Sequence, residues 1–386
     1  MRILYIVPGF DEGGVEVHVL NLIREMALMG HEITLANSGG RLESELPENV
    51  RIIHLPVYRK NLFTIIYCSR KLAELNKNFQ WDVIHAHSRV PAWVAWILSR
   101  KIKVKWLMTA HALYSLNPGL IALKHADGVI CVSEAVKHHL QKYLPGENII
   151  IPNGIVPPKL RNNNSQPKHE EIYKIIPNEV NISKSEQNIS EISSSQSQHE
   201  QTKISNVIIP SKSEHKNSAK FLTVGRLTRL KGIDVVLLGL SELKNYDWTL
   251  DIVGEGSQHR ELEDLANNLG LSERVKFHGA KDKSEIEIFM SKASCLLFPS
   301  HSEGMGLVVL EAVAEGLPVL ASDLEALHEI AGENSGLIPD GDIKAWREAM
   351  RKFLSEGISC KFKPEKIITV HDMAIKIEEY YEKFIN

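Results

Sequence analysis

Twelve short runs rich in β-forming residues punctuate this chain, and several of them are apolar from end to end. The first seven are RILYIVP, HEITLAN, RIIHLPV, WDVIHAH, VKWLMTAH, GVICVS and NIIIPN; the later five are KFLTVGRL, WTLDIVGEG, RVKFHGA, CLLFPS and PVLAS. A strand with one face in water alternates apolar and polar residues, whereas a strand covered on both faces is apolar throughout. Segments of helical period, such as VEVHVLNLIREMALMG, stand between the runs. Strand and helix alternating in this way predict parallel sheets wound with helices on both sides. Two such series in one chain predict two similar, Rossmann-like, doubly wound α/β domains.

The segment between the series, residues 159–218, is different material. It holds 12 Ser, 8 Asn and 5 Gln, no Gly, and Tyr173 as its one Phe, Tyr or Trp residue. Such a stretch buries too little apolar surface to offset its ordering entropy, so it reads as a low-complexity, disordered insertion. Residues 1–158 and 219–371 are then the two folded domains. At 386 residues the chain is long enough for each to bury its own core.

Composition narrows the class. Hydrophobic residues are 43% and charged residues 24%, as in a soluble globular protein. MRILYIVPG reads as a first strand rather than a secretory leader, and Val90 to Leu98 is far short of a spanning helix, so a cytoplasmic protein is expected. Cys68, Cys131, Cys295 and Cys360 are widely separated, with no metal-ligand or redox spacing. Residues 1–158 carry 17 Lys and Arg against 13 Asp and Glu, while 219–386 carry 20 against 28, so the first domain is basic and the second acidic. Within the first, RVPAWVAWILSRKIKVKW sets Arg100, Lys101, Lys103 and Lys105 among Trp93, Trp96 and Trp106. This suits peripheral contact with an anionic membrane. It equally suits tryptophans packed in a core beneath solvated lysines. The net charge of −3 does not favour nucleic acid.

Three stretches have the composition of a ligand site. In SEGMGLVVLEAVAEGLPV, which follows a strand, Gly304 and Gly306 allow an anion close to the backbone ahead of a helix. A continuous helix would return Glu311 to within about 80° of the direction of Glu303, so that both carboxylates reach one hydroxyl-bearing ligand. The same spacing fits a capped helix with Glu311 on its solvent face. In VGRLTRLKG, Arg226 and Lys231 follow a strand and stand where open α/β sheets bind ligands. In PGFDEGGVEVH, Gly13 and Gly14 make a third anion-compatible turn. That turn is not the G-x-G-x-x-G fingerprint, and ITLANSGG lacks the acidic residue of a nicotinamide site, which disfavours a dehydrogenase. Asp340 and Asp342 superficially resemble a metal pair, but Asp342 reads better as the N-cap of IKAWREAMRKFL.

In this order and spacing, the early GGVE, IIPNG, GRLTRLKG, IVGEG and SEGMGLVVLEAVAEGLPV resemble the retaining glycosyltransferases of family 4, with their two-domain GT-B fold and E-x7-E signature. The resemblance implies a nucleotide-diphosphate sugar as donor, a glycan or lipid-linked acceptor, no metal cofactor, and a place in envelope polysaccharide or lipopolysaccharide synthesis. It assigns Arg226 and Lys231 to the donor diphosphate, Glu311 to the ribose and Glu303 to the donor sugar. Gly304, Met305, Gly306 and Leu307 supply nearby backbone, Gly13 and Gly14 the loop facing the phosphates, and His111 a side chain beside the transferred sugar. Met305 stands where Phe is usual, and Ala112 where many members have Asp or Gly. A last helix, about 372–384, is expected to cross back to the first domain. A sugar-nucleotide epimerase on the same plan and a non-catalytic nucleotide- or glycan-binding scaffold are the alternatives.

Overall fold

The computed structural model describes residues 1–11, 13–156, 218–332 and 334–385; apart from Ser218, the insertion read at 159–218 lies outside the described residues. All twelve expected strands are present: β1 (Arg2–Ile6), β2 (Glu32–Asn37), β3 (Arg51–His54), β4 (Val83–His87), β5 (Lys105–Ala110), β6 (Gly128–Cys131), β7 (Asn148–Ile150), β8 (Ala219–Val224), β9 (Trp248–Val253), β10 (Val275–Phe277), β11 (Cys295–Phe298) and β12 (Val319–Ala321). They form two sheets, ordered β3-β2-β1-β4-β5-β6-β7 and β10-β9-β8-β11-β12. Every pairing in both is parallel. The fold is therefore the two-domain α/β arrangement that the alternation predicts.

The helices among the described residues are α1 (Gly14–Leu28), α2 (Leu62–Phe79), α3 (Arg89–Ile102), α4 (Glu134–Leu140), α5 (Ile233–Ser241), α6 (His259–Asn268), α7 (Lys283–Lys292), α8 (Leu307–Ala314), α9 (Glu325–His328), α10 (Ile343–Glu356) and α11 (Val370–Ile385). Local chemistry sets several of their starts. Asn61 caps α2 by accepting from the Thr64 amide, and Ser133 caps α4 by accepting from Val136. Asp342 caps α10 by accepting from Lys344 and Ala345, which is the role its sequence context suggests. None of these helices is long and apolar enough to cross a membrane.

Each sheet is covered on both faces. One face of the first sheet packs Tyr5, Leu35, Leu107 and Ile130 against α1 and α11. One face of the second packs Phe221, Trp248, Leu250 and Leu297 against Trp346 and Met350 of α10. The remaining faces belong to one apolar cluster that runs from Leu72, Trp81 and Trp106 through Met305 to Phe298 and Val309. Helix α11 docks on the first domain, where the Tyr381 hydroxyl meets Tyr5 at 3.1 Å and His85 Nδ1 at 2.5 Å. The chain passes between the domains at two adjacent places, where Ile155 donates to Ile368 at 3.0 Å and Val370 donates back to Ile155 at 3.1 Å. Gly154 fits there because a Cβ would collide with the Thr369 carbonyl.

The basic, tryptophan-bearing stretch divides between inside and outside. Trp106 is buried and donates its indole N–H to the His125 carbonyl at 3.0 Å. Trp93 donates to the Gly119 carbonyl at 2.9 Å, and Trp96 stacks on His125 with ring centroids 4.3 Å apart. Trp106 is thus spent on internal packing, because β5 is an inner strand, while Trp93 and Trp96 on α3 are half-buried.

Candidate functional site

Both sheets reverse their strand order between adjacent strands, at β1/β4 and at β8/β11. Open α/β sheets bind ligands outside the C-terminal strand ends at such a switch point. The turn after β1 carries Gly13 and Gly14, the turns after β4 and β5 follow His87 and lead to His111, and those after β8 and β11 carry Arg226 and Glu303. Parallel topology alone therefore puts the predicted residues at the edges where a ligand belongs.

In the second domain the site is charged. Gly225, at φ +152°, ends β8, and the stem of Lys231 lies 3.6 Å from where its Cβ would be. Lys231 Nζ donates to Glu303 Oε1 in an ion pair and lies 5.8 Å from the centroid of the Phe298 ring. Gly232, at φ +59°, leaves room for the Pro299 carbonyl. The VGRLTRLKG and SEGMG loops thus lock together. Arg226 is exposed and, among the described residues, makes no ion pair. Helix α8 starts only at Leu307, with Gly306 at φ +75° as its N-cap. Glu303 therefore sits in a loop, and the continuous helix imagined from the eight-residue spacing is not formed. Glu311 lies one turn into α8, 3.7 Å from Lys283, on the helix that follows the Glu303 loop.

The first domain meets this loop directly. The Ser133 hydroxyl donates to the Gly304 carbonyl at 2.6 Å, and the Asn153 amide lies 3.1 Å from Met305 Sδ. A Cβ on Gly304 would collide with the His111 carbonyl, and one on Gly14 would touch Leu307 at 3.5 Å. His111, Gly14, Gly304, Met305 and Leu307 are thus gathered in one place. Gly13 has extended backbone, with the Glu16 carboxylate folded against it. Burial raises the Glu16 pKa, and the charge of Arg226 opposes the rise, which ties the first turn of α1 to the loop after β8.

Sequence reasoning missed the company His111 keeps. His87 Nδ1 and His111 Nε2 share a hydrogen bond of 2.9 Å, and the His18 ring meets His111 edge-on at 4.7 Å between centroids. His85 bonds Thr109 Oγ1 at 2.7 Å, and its ring lies tilted against that of His87 with centroids 4.2 Å apart. Burial pushes His18 down to about 4 and His85 to about 3, and holds His87 and His111 well below the ordinary imidazole range. All four are neutral near pH 7. The signal was present in VEVH and in the H-A-H at the end of β4, where residues two apart share a sheet face. Ligating atoms of His18, His87 and His111 lie within 4.8 Å of one another. Three imidazole nitrogens are a set a zinc or copper ion uses. Here His87 and His111 spend a nitrogen each on one another. Asp340 and Asp342 are also committed, the first to His301 at 2.6 Å and the second to its helix.

The architecture is a two-domain α/β fold with parallel sheets and paired strand-end loops. Solved structures share the fold: an Anabaena protein in complex with UDP-glucose (17% identical, 100% of this chain and 96% of that one, TM-score 0.66) and a lipopolysaccharide outer core galactosyltransferase (16%, 100% and 97%, TM-score 0.60). The family described as Glycosyltransferase Family 4 matches residues 12–157, and that described as Glycosyl transferases group 1 matches 206–367. Spanning most of the sequence in the expected order, these matches show that the chain belongs to the family-4 type of glycosyltransferases. The D-inositol 3-phosphate glycosyltransferase of Corynebacterium urealyticum is 26% identical over 371 residues, 90% of this chain and 83% of that protein.

Proposed function

We propose that this glycosyltransferase moves a sugar from a nucleotide-diphosphate donor to an acceptor hydroxyl with retention of anomeric configuration and without a metal. The observation that carries the reading is the locked pair of loops: Lys231 on Glu303, with Arg226 free to face an anion and Glu311 on the following helix. Breaking the glycosidic bond leaves negative charge on the β-phosphate. Arg226, Lys231 and the N-terminus of α8 supply positive charge for it, a role that needs no bound ion. Glu311 suits the paired hydroxyls of a ribose, which its Lys283 contact leaves within reach of a ligand. His111 and its neutral neighbours suit an uncharged sugar; His87 Nε2 has hydrogen-bonding capacity no described residue uses.

Nucleotide-sugar use is supported by the Anabaena neighbour with UDP-glucose. A setting in lipopolysaccharide or other envelope glycan synthesis, at the inner face of the cytoplasmic membrane, is supported by the galactosyltransferase neighbour and by the basic first domain. The acceptor in that setting is a glycan or lipid-linked glycan. The test is transfer from a matched nucleotide-sugar with chelator present, the product's anomeric proton being read by NMR. An axial donor giving an axial product supports retention. An inverted product, or activity restored only by added metal, refutes those parts of the reading, and an epimer formed without acceptor points to the epimerase.

A further inference from the structure

We infer that His18, His87 and His111 form a site for a divalent transition-metal ion such as zinc, and that an ion held there shuts the donor sugar out. The first part rests on geometry alone. The second rests on the reading above that sets His111 beside the transferred sugar.

Topology brings the three rings together. Because β4 and β5 are neighbours in the sheet, His87 at the end of β4 and His111 just beyond β5 meet at its C-terminal edge, where α1 sets His18 against them. One ring nitrogen of each lies within 4.8 Å of the other two. Three imidazoles around a tetrahedral zinc, with bonds of about 2.0–2.1 Å, hold their nitrogens about 3.3 Å apart. The spacings here bracket that value: His87 Nδ1 and His111 Nε2 are 2.9 Å apart, and no pair in the set exceeds 4.8 Å. Small ring movements therefore suffice.

The hydrogen bond between His87 and His111 gives way to an ion without loss of a proton. That bond needs one N–H and one lone pair, whereas an ion needs both lone pairs. A neutral imidazole supplies its lone pair by carrying the proton on its other nitrogen. For His87 the other nitrogen is Nε2, which has no partner among the described residues. His85 shows the contrast, since the Tyr381 hydroxyl at 2.5 Å and Thr109 Oγ1 at 2.7 Å occupy both of its nitrogens. Buried Asn153, in the turn after β7, faces His18 and is placed to orient its ring, as oxygens behind ligating imidazoles do.

Ligand type selects the ion. An all-imidazole set suits zinc and its neighbours, while magnesium and calcium take oxygen. An ion on His111 takes the nitrogen that a sugar hydroxyl would use. The nucleotide, assigned to Arg226, Lys231 and Glu311 of the second domain, keeps its place.

The test strips the full chain of metal with chelator and titrates it with zinc chloride by calorimetry, with cobalt(II) as a spectroscopic substitute. The native chain, His18→Gln and His87→Gln are compared, and circular dichroism checks the fold. Expected are one ion per chain, cobalt bands of tetrahedral rather than octahedral type, and zinc binding weakened about 100-fold or more in each variant. Zinc is expected to slow sugar transfer by the native chain and magnesium to leave it unchanged, with nucleotide stabilisation the same in either. No binding by the native chain, octahedral cobalt bands, or binding undiminished in both variants, as surface histidines would give, overturns the site. If a variant fails to fold, the cobalt spectrum of the native chain decides. Zinc that binds without slowing transfer overturns the exclusion of the sugar. A native chain that no nucleotide stabilises defeats the donor reading and the sugar exclusion with it, and the calorimetry and cobalt spectrum still judge the ion site.

Discussion

The two domains share a fold but build opposite kinds of surface at their strand ends. In the second, Lys231 and Glu303 form an ion pair, Arg226 is exposed and Glu311 stands near Lys283. In the first, four imidazoles are packed together and kept uncharged by burial. Charge retained at a partly open surface suits a ligand with formal charge, such as a diphosphate. Buried, neutral donors and acceptors suit hydroxyls. The same sheet topology thus supplies two chemistries, according to whether its turns carry long flexible cations or compact aromatic rings.

Removing the charged half breaks the comparison most severely. Lys231→Ala takes away one cation and leaves Glu303 unpaired, and about a 10²–10³-fold loss of kcat is expected with the fold retained, measured by donor turnover and circular dichroism. A change under tenfold would mean that Lys231 does not meet developing charge. Glu311→Ala is expected to weaken nucleotide binding by about 10–100-fold, the worth of hydrogen bonds to a charged group, as read by calorimetry.

The neutral half is tested by acid. His18 and His85 have folded-state pKa values below their unfolded ones, so the unfolded chain takes up protons first as the pH falls. Their stability contribution is complete above about pH 6.5 and drains away toward pH 4, by roughly 3 kcal/mol for His18 alone. Urea midpoints that stay flat from pH 7 to pH 4 would contradict the buried, neutral assignment. Tyr381→Phe, which leaves Tyr5 and His85 without their shared hydroxyl, is expected to cost about 1–3 kcal/mol by the same measurement. The smallest effect expected is from Asp342→Ala at the cap of α10, about 1 kcal/mol, with turnover unchanged because Asp342 serves its helix rather than a metal.

What the sequence disclosed follows the same division. Apolar runs specify buried parallel strands, and glycines at strand ends mark turns, so both sheets and the Arg226, Lys231 and Glu303 loops were legible before any coordinates. Spacing did not reveal that Gly306 turns into left-handed space and delays α8, which leaves Glu303 in the loop and Glu311 on the helix. Nor did it reveal the histidine cluster. His18, His85 and His87 lie on two elements far apart in sequence, and a single histidine at a strand end looks like any core residue until the sheet places its neighbours. The inward turn of Trp106 was hidden for a related reason. Whether an aromatic beside lysines faces water depends on what lies over its strand, and the exposed aromatics among the described residues proved to be on α2 and just before it.

The central claim, that the charged half receives a nucleotide-diphosphate sugar without a metal, meets its most direct test in a thermal-shift panel. UDP, GDP, ADP and CMP with their common sugar conjugates are run in chelator on the native chain and on Glu311→Ala. The account predicts strong stabilisation by one nucleotide, retained in chelator and lost in Glu311→Ala. No stabilisation by any member, or a shift that survives Glu311→Ala or vanishes in chelator, would contradict it.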